Sequence, residues 1–180
     1  MANKGILVQT QVMAMNVDSK NRSAVATYEV ENGMVFNLTG KSSTAGQPEV
    51  WTCATPVTGA LTNLWMAYEP EVVLTVQGTK VYKGLNPDPR DFSVPAGTVF
   101  SAFQPAVGDL ITMTADALAG TKNSNGYVVA TNNAAKLTWA ASAVSGLSLK
   151  LIETSYISIG AALPASQRET AYLFEVVAVA

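Results

Sequence analysis

From Gly108 to the last residue the chain is a succession of short apolar runs with a period of two, separated by turn signals, and no helical spacing interrupts it. A backbone patterned this way satisfies its polar groups by pairing strands. The runs are Leu110 to Thr114, Tyr127 to Thr131, Lys136 to Ala141, Leu147 to Leu151 and on to Ile159, and Ala171 to Val179. Five strands without a helix predict an all-β fold, a small β-barrel or β-sandwich meander, with less than about a tenth of the residues in α-helix. The entry to this region is Val99 to Thr114, where Pro105, Gly108 and Asp109 turn the chain into its first strand. Glu153 and Ser155 break the alternation set by Leu147, Leu149 and Leu151, so a bulge or bend is expected before Ile157. Ala171 to Val179 is apolar on both parities, the pattern of a strand buried on two faces.

Upstream, Ala24 to Glu31 and Met34 to Thr39 flank Asn32-Gly33, a pair that favours a type I′ hairpin turn. Such a hairpin sets Val30 opposite Val35 and Glu29 opposite Phe36, leaving apolar groups on both faces, so a second cover is expected from another segment or another chain. Glu49 to Pro56 and Leu64 to Tyr68 read as short strands. Glu71 to Gln77 and Lys80 to Tyr82 read as a hairpin about Gly78-Thr79, and Pro87 and Pro89 force a surface loop. Residues 1–18 form an extended arm. The organisation is therefore an arm at 1–18, a β-rich half at 19–104 and a five-stranded, barrel-like half at 105–180, as one domain or two modules sharing a core.

The arm either adds to an edge of its own fold or to a neighbour's. Gln9, Gln11, Met13 and Met15 carry no charge to guard an edge, which favours an interface, with Ile6, Leu7 and Val8 as its apolar anchor. On that reading a chain lacking residues 2–15 still folds.

Charged residues are 13% of the 180 and hydrophobic residues 48%, with net charge −2. That apolar balance fits either a subunit that buries outer faces against partners or a sheet buried on both sides. No run approaches the roughly 18 apolar residues of a membrane-spanning helix. The absence of a basic cluster argues against nucleic acid. A single cysteine cannot form an internal disulfide, and the apolar run after Lys4 is too short for a secretory signal, so synthesis in a reducing cytoplasm is expected.

Histidine is absent altogether, which removes the commonest general base and metal ligand. Cys53 lies in an apolar run without an activating partner and reads as a buried structural thiol. Thr39-Gly40-Lys41-Ser42 imitates the end of a phosphate-binding loop, but Val35 stands where the loop's first glycine belongs and no helix start follows. The carboxylate pairs Asp88 with Asp91 and Glu69 with Glu71 flank prolines and read as solvated or ion-paired turns. No cofactor, metal or catalytic residue is expected. Trp51, Trp65 and Tyr68 crowd one stretch and, with Arg90, are the remaining interface candidates. Exposed, they would equally suit stacking on sugars.

The words Tyr82-Lys83-Gly84, Asn86-Pro87-Asp88-Pro89-Arg90-Asp91-Phe92, Val99-Phe100 and Phe103-Gln104-Pro105 with Gly108-Asp109 resemble the tailed-bacteriophage capsid decoration, or auxiliary head, protein family. The opening Met1-Ala2-Asn3-Lys4-Gly5 and the run Ala26 to Gly33 fit as well. The resemblance implies a non-enzymatic virion structural protein that binds the outer surface of a phage capsid and cements it. Its partners would be the major capsid protein and further copies of itself, with neither nucleic acid nor membrane. A carbohydrate-binding or host-attachment module of a virion is the alternative.

Overall fold

A computed structural model describes residues 3–77, 79–85, 88–159 and 167–180, side chains at 73–77, 81–82, 85 and 167 excepted. The protein is all-β, with short 3-10 turns and no α-helix among the described residues. Strands β1 (Asn21–Val25), β2 (Val35–Lys41), β3 (Val50–Ala54), β4 (Trp65–Ala67) and β7 (Val99–Phe103) close a barrel in the order β1-β3-β2-β4-β7. Strands β8 (Leu110–Thr114), β9 (Leu118–Ala119), β10 (Tyr127–Val129), β11 (Leu137–Ala140), β12 (Ser148–Ile159) and β13 (Gln167–Ala178) form an open sheet in the order β8-β13-β12-β10-β11-β9. The expected hairpin β5 (Val72–Gln77) with β6 (Lys80–Leu85) is present; Gly78, Asn86 and Pro87 lie outside the described residues.

The closed barrel thus belongs to the 19–104 half, which corrects one expectation: the 105–180 half, read from the sequence as a five-stranded barrel-like unit, is a sheet of six strands, with β9 unforeseen, that does not close. Closure needs a partner on both edges of every strand. β1 has them, running parallel to β3 through Ala24 and Trp51 and antiparallel to β7 through Ala24 and Phe100. In the sheet, β9 pairs with β11 alone, and the outer edge of β8 is taken by the arm.

Period two explains why the barrel strands are apolar on both faces. Phe36, Trp65, Ala102, Ala24, Cys53 and Phe100 point into the barrel, with Phe36 and Phe100 edge to face at 5.5 Å. Their neighbours Val35, Met66 and Phe103 point outward, into a second core shared with Leu7, Ile111, Met113, Leu137, Leu149 and Phe174 of the arm and sheet. The second cover is thus another segment of the same chain. Alanine at positions 24, 67 and 102 leaves the lumen room for the phenylalanines and Trp65.

Three further expectations are corrected. Asn32-Gly33 is a turn but joins no hairpin, because β1 and β2 are separated by β3. Of its two central residues only Gly33 has positive φ, at 87°, the sign pattern of a type II turn and not of type I′. Tertiary bonds outweigh the local preference: Asn32, 3% exposed, accepts from the Glu69 amide (2.8 Å) and donates to the Glu69 carbonyl (2.9 Å), locking the turn to β4. Second, β13 is central but not buried on both faces, since Tyr172, Phe174 and Val176 face the core while Val177 is 37% exposed.

The third concerns the arm, which belongs to its own fold. It lies antiparallel along β8, with Thr114 N–H donating to Ile6 (2.9 Å), Val8 N–H to Thr112 (2.9 Å) and Met13 N–H to Leu110 (2.8 Å). A 3-10 turn at Gln9–Gln11 shifts the side-chain parity, so Leu7 and Ala14 are both buried. The uncharged outer side that suggested an interface is thereby broken up. Gly5 is required where the arm crosses Ala117, whose Cα would lie 2.5 Å from any Cβ there.

Two sequence readings of irregularity hold. The β12–β13 register shifts between Leu151 and Glu153, upstream of Ile157. Gly108 has φ 93°, and the Asp109 carboxylate accepts from the Ala106 amide at 2.8 Å, closing the turn into β8.

Candidate functional site

β1 enters the barrel at one mouth. Ala24 faces the lumen, and Arg22, two residues earlier on the same side, reaches the rim, where its guanidinium carbon stands 5.6 Å from the centroid of the buried Trp65 ring. Register carries two more side chains to this rim: Ala24 pairs with Trp51 of β3, and Trp51 with Lys41, the last residue of β2. The Lys41 ammonium lies 5.8 Å from the Trp51 ring and 3.4 Å from Glu49, an exposed pair of little energetic weight.

Two clefts open on either side of Arg22. One, of about 370 Å³, is lined by Asn21, Arg22, Ser23, Lys41, Glu49 and Trp51. The other, of about 360 Å³, is lined by Asn21 to Ser23 with Met15, Tyr68, Ser101 and Ala102. The three aromatics singled out in the sequence therefore meet around one cation. Trp65 lies beneath it, half-buried Trp51 walls one cleft, and Tyr68, edge-on to Phe103 at 6.2 Å, walls the other. Arg22 itself escaped the sequence reading, since one arginine among polar residues carries no local signal.

Arg22 donates to the Asn21 carbonyl at 3.0 Å, and among the described residues no carboxylate pairs with it. A half-buried arginine with donors to spare, its guanidinium over an indole, suits a carboxylate or carbonyl brought by another molecule. The sugar alternative required the rings at the surface. Trp65 is only 9% exposed and Tyr68 packs on the core, so Trp51 alone remains for stacking.

The other candidates hold the fold together. Ile6 and Leu7 are 4% and 1% exposed, and Val8 is half-buried along β8, so none forms an outward anchor. Arg90 pairs with Asp88 at 2.8 Å and Glu169 at 3.8 Å, and its carbonyl accepts from the Lys4 amide, tying the 88–92 loop to β13 and the arm. The Arg90 guanidinium holds the Asp88 carboxyl below its ordinary range.

Cys53 is inside the barrel, its Sγ donating to the Val25 carbonyl at 3.4 Å. Burial pushes its thiol from 9.0 up to about 11, and burial followed by the charge of Cys53 raises the Tyr28 hydroxyl from 10.0 to about 12. Both groups are neutral in the fold and release their protons sooner when unfolded. Their contribution is therefore whole below about pH 9 and is lost as pH rises through about 11 and 12. The urea midpoint is expected to be level between pH 7 and 8.5 and to fall steadily above pH 9. A midpoint flat to pH 11 would contradict this.

No three His, Cys, Asp or Glu side chains come together as metal ligands among the described residues, and no helix is long and apolar enough to cross a membrane. Comparison with protein-family models, with curated proteins and with solved structures finds no match. Fold and site define an all-β protein, a closed five-stranded barrel packed on a six-stranded sheet, with a cation-and-aromatic rim at one barrel mouth.

Proposed function

We propose that the protein is a non-enzymatic virion structural protein that binds the outer surface of a phage capsid and stabilises it. The observation that carries the reading is the Arg22 rim: a guanidinium that pairs with no carboxylate among the described residues, between two clefts walled by Trp51 and Tyr68. Interface hot spots combine these elements, an arginine and large aromatics in pockets that a partner closes from water. The resemblance to capsid decoration proteins names the partner as the major capsid protein and the location as the virion surface, after synthesis in the host cytoplasm. The mechanism is mass action, since a protein that binds only the assembled lattice stabilises that lattice by its own binding free energy.

The test is co-sedimentation with shells assembled from the major capsid protein of the same genome. The protein is expected to sediment with shells, to ignore unassembled capsid subunits, and to raise the temperature at which shells break. Arg22→Glu should weaken shell binding by about 30- to 1,000-fold, the range of a hot-spot loss of about 2 to 4 kcal/mol, while leaving the melting curve in place. Trp51→Ala should act in the same direction. A wild-type protein that stays in the supernatant, or an Arg22→Glu variant that decorates shells normally, overturns the reading.

A further inference from the structure

β12 is twelve residues long, yet only Ser148 to Lys150 has a neighbour on its β10 side. Leu151 donates its N–H to Gly126 at 2.7 Å, the last backbone bond on this side among the described residues; beyond it only a side chain reaches the strand, Lys122 Nζ donating to the Thr154 hydroxyl at 2.8 Å. From Ile152 to Ile159 the strand pairs with β13 alone, and among the described residues no other segment bonds to its backbone. An edge of this length normally carries charge or proline against unwanted pairing. This one reads Ile-Glu-Thr-Ser-Tyr-Ile-Ser-Ile, with one charge, no proline and a bulge only at its start, at Ile152, and it displays Ile152 and Tyr156, 53% and 60% exposed.

We infer that two copies of the chain pair antiparallel through this edge, about a two-fold axis at Thr154. The occupant follows from the segment's complementarity to itself. Pairing about Thr154 sets Ile152 of each copy opposite Tyr156 of the other, so the exposed apolar residues cover one another twice. Glu153 then faces Ser155 and Thr154 meets Thr154, so no like charges of the two strands are opposed, while Lys122 of each copy, bonded to its own Thr154 hydroxyl, lies over its own Tyr172 ring. Moving the axis to Glu153 would bring the two carboxylates together and separate Ile152 from Tyr156. Backbone bonds along the joined edges merge the two sheets into one continuous sheet, as in strand addition generally. The inference does not depend on capsid binding, because the Arg22 rim is on the barrel and this edge is on the sheet.

Sedimentation velocity over a concentration series should show a monomer–dimer equilibrium. Tyr156→Lys should weaken it by about tenfold or more, the effect of replacing two apolar cross-strand pairs by charges, with an unchanged circular dichroism spectrum. Register is read separately by cross-linking: Thr154→Cys should oxidise to a disulfide-linked dimer faster than Ser158→Cys, both positions being exposed and Cys53 buried. A monomer at every concentration to about 1 mM, or a dimer that Tyr156→Lys leaves intact, overturns the pairing. Equal or faster cross-linking at Ser158→Cys overturns the axis at Thr154.

Discussion

A chain lacking residues 3–14 is expected to lose its cooperative thermal transition. The arm places Ile6 and Leu7 in the interior, each worth about 1.5 to 3 kcal/mol of burial. It also supplies the backbone bonds that cover the β8 edge, each worth about 0.5 to 1.5 kcal/mol. The Ile6 amide further donates to the Thr114 hydroxyl at 3.0 Å, and the Gly5 amide to the buried Glu31 carboxylate at 2.8 Å. The sum is comparable with the whole net stability of an ordinary domain, about 5 to 15 kcal/mol. Removal also uncovers Met113, Phe103 and Ile111, which share a core with Leu7. Circular dichroism melts and dye binding would check this, a broad transition with exposed apolar surface being the expected result. A truncated chain that melts sharply at the full-length temperature would show that the arm contributes nothing to the fold.

Glu31→Ala is expected to destabilise the protein by about 1.5 to 3 kcal/mol, the usual worth of hydrogen bonds to a charged group, since Glu31 is buried while Lys136 is only partly so. Glu31 is 9% exposed, and its carboxylate joins three parts of the chain: it lies 2.7 Å from the Lys136 ammonium, accepts from the Gly5 amide, and stands 3.9 Å from Lys4. Without it, Lys136 keeps only the Asp116 carbonyl at 2.8 Å, and the Gly5 amide is left buried. The melting temperature should fall by roughly 3 to 12 °C for a chain of this size. Glu31→Gln, which retains an acceptor, should fall between the variant and the wild type. The nearby Lys4–Glu29 pair is a control: Glu29 is half exposed, and Glu29→Ala should cost less than about 1 kcal/mol. Urea denaturation of the three variants checks the order, and a Glu31→Ala loss below about 1 kcal/mol would remove the network from any structural role.

What the chain determined by itself was its class and its segmentation. Alternation of apolar residues between turn signals is a local property, and it located β8, β10, β11, β12 and β13 and the β5–β6 hairpin. Partnership is not local. Asn32-Gly33 had the composition of a hairpin turn, but whether β2 lies beside β1 or beside β3 depends on bonds to Glu69 and Ala67, more than thirty residues away. The arm's uncharged side was legible, but its cover was not, because only the folded sheet presents the β8 edge and only the 3-10 turn at Gln9 to Gln11 reverses the parity. The site divides the same way. Trp51, Trp65 and Tyr68 could be marked as a group of aromatics, yet their meeting point depends on barrel closure, which brings the first residues of β1 between β3 and β7 and so puts Arg22 among them. Strand type follows from residues a few positions apart, whereas the order of strands in a barrel follows from contacts that exist only after closure.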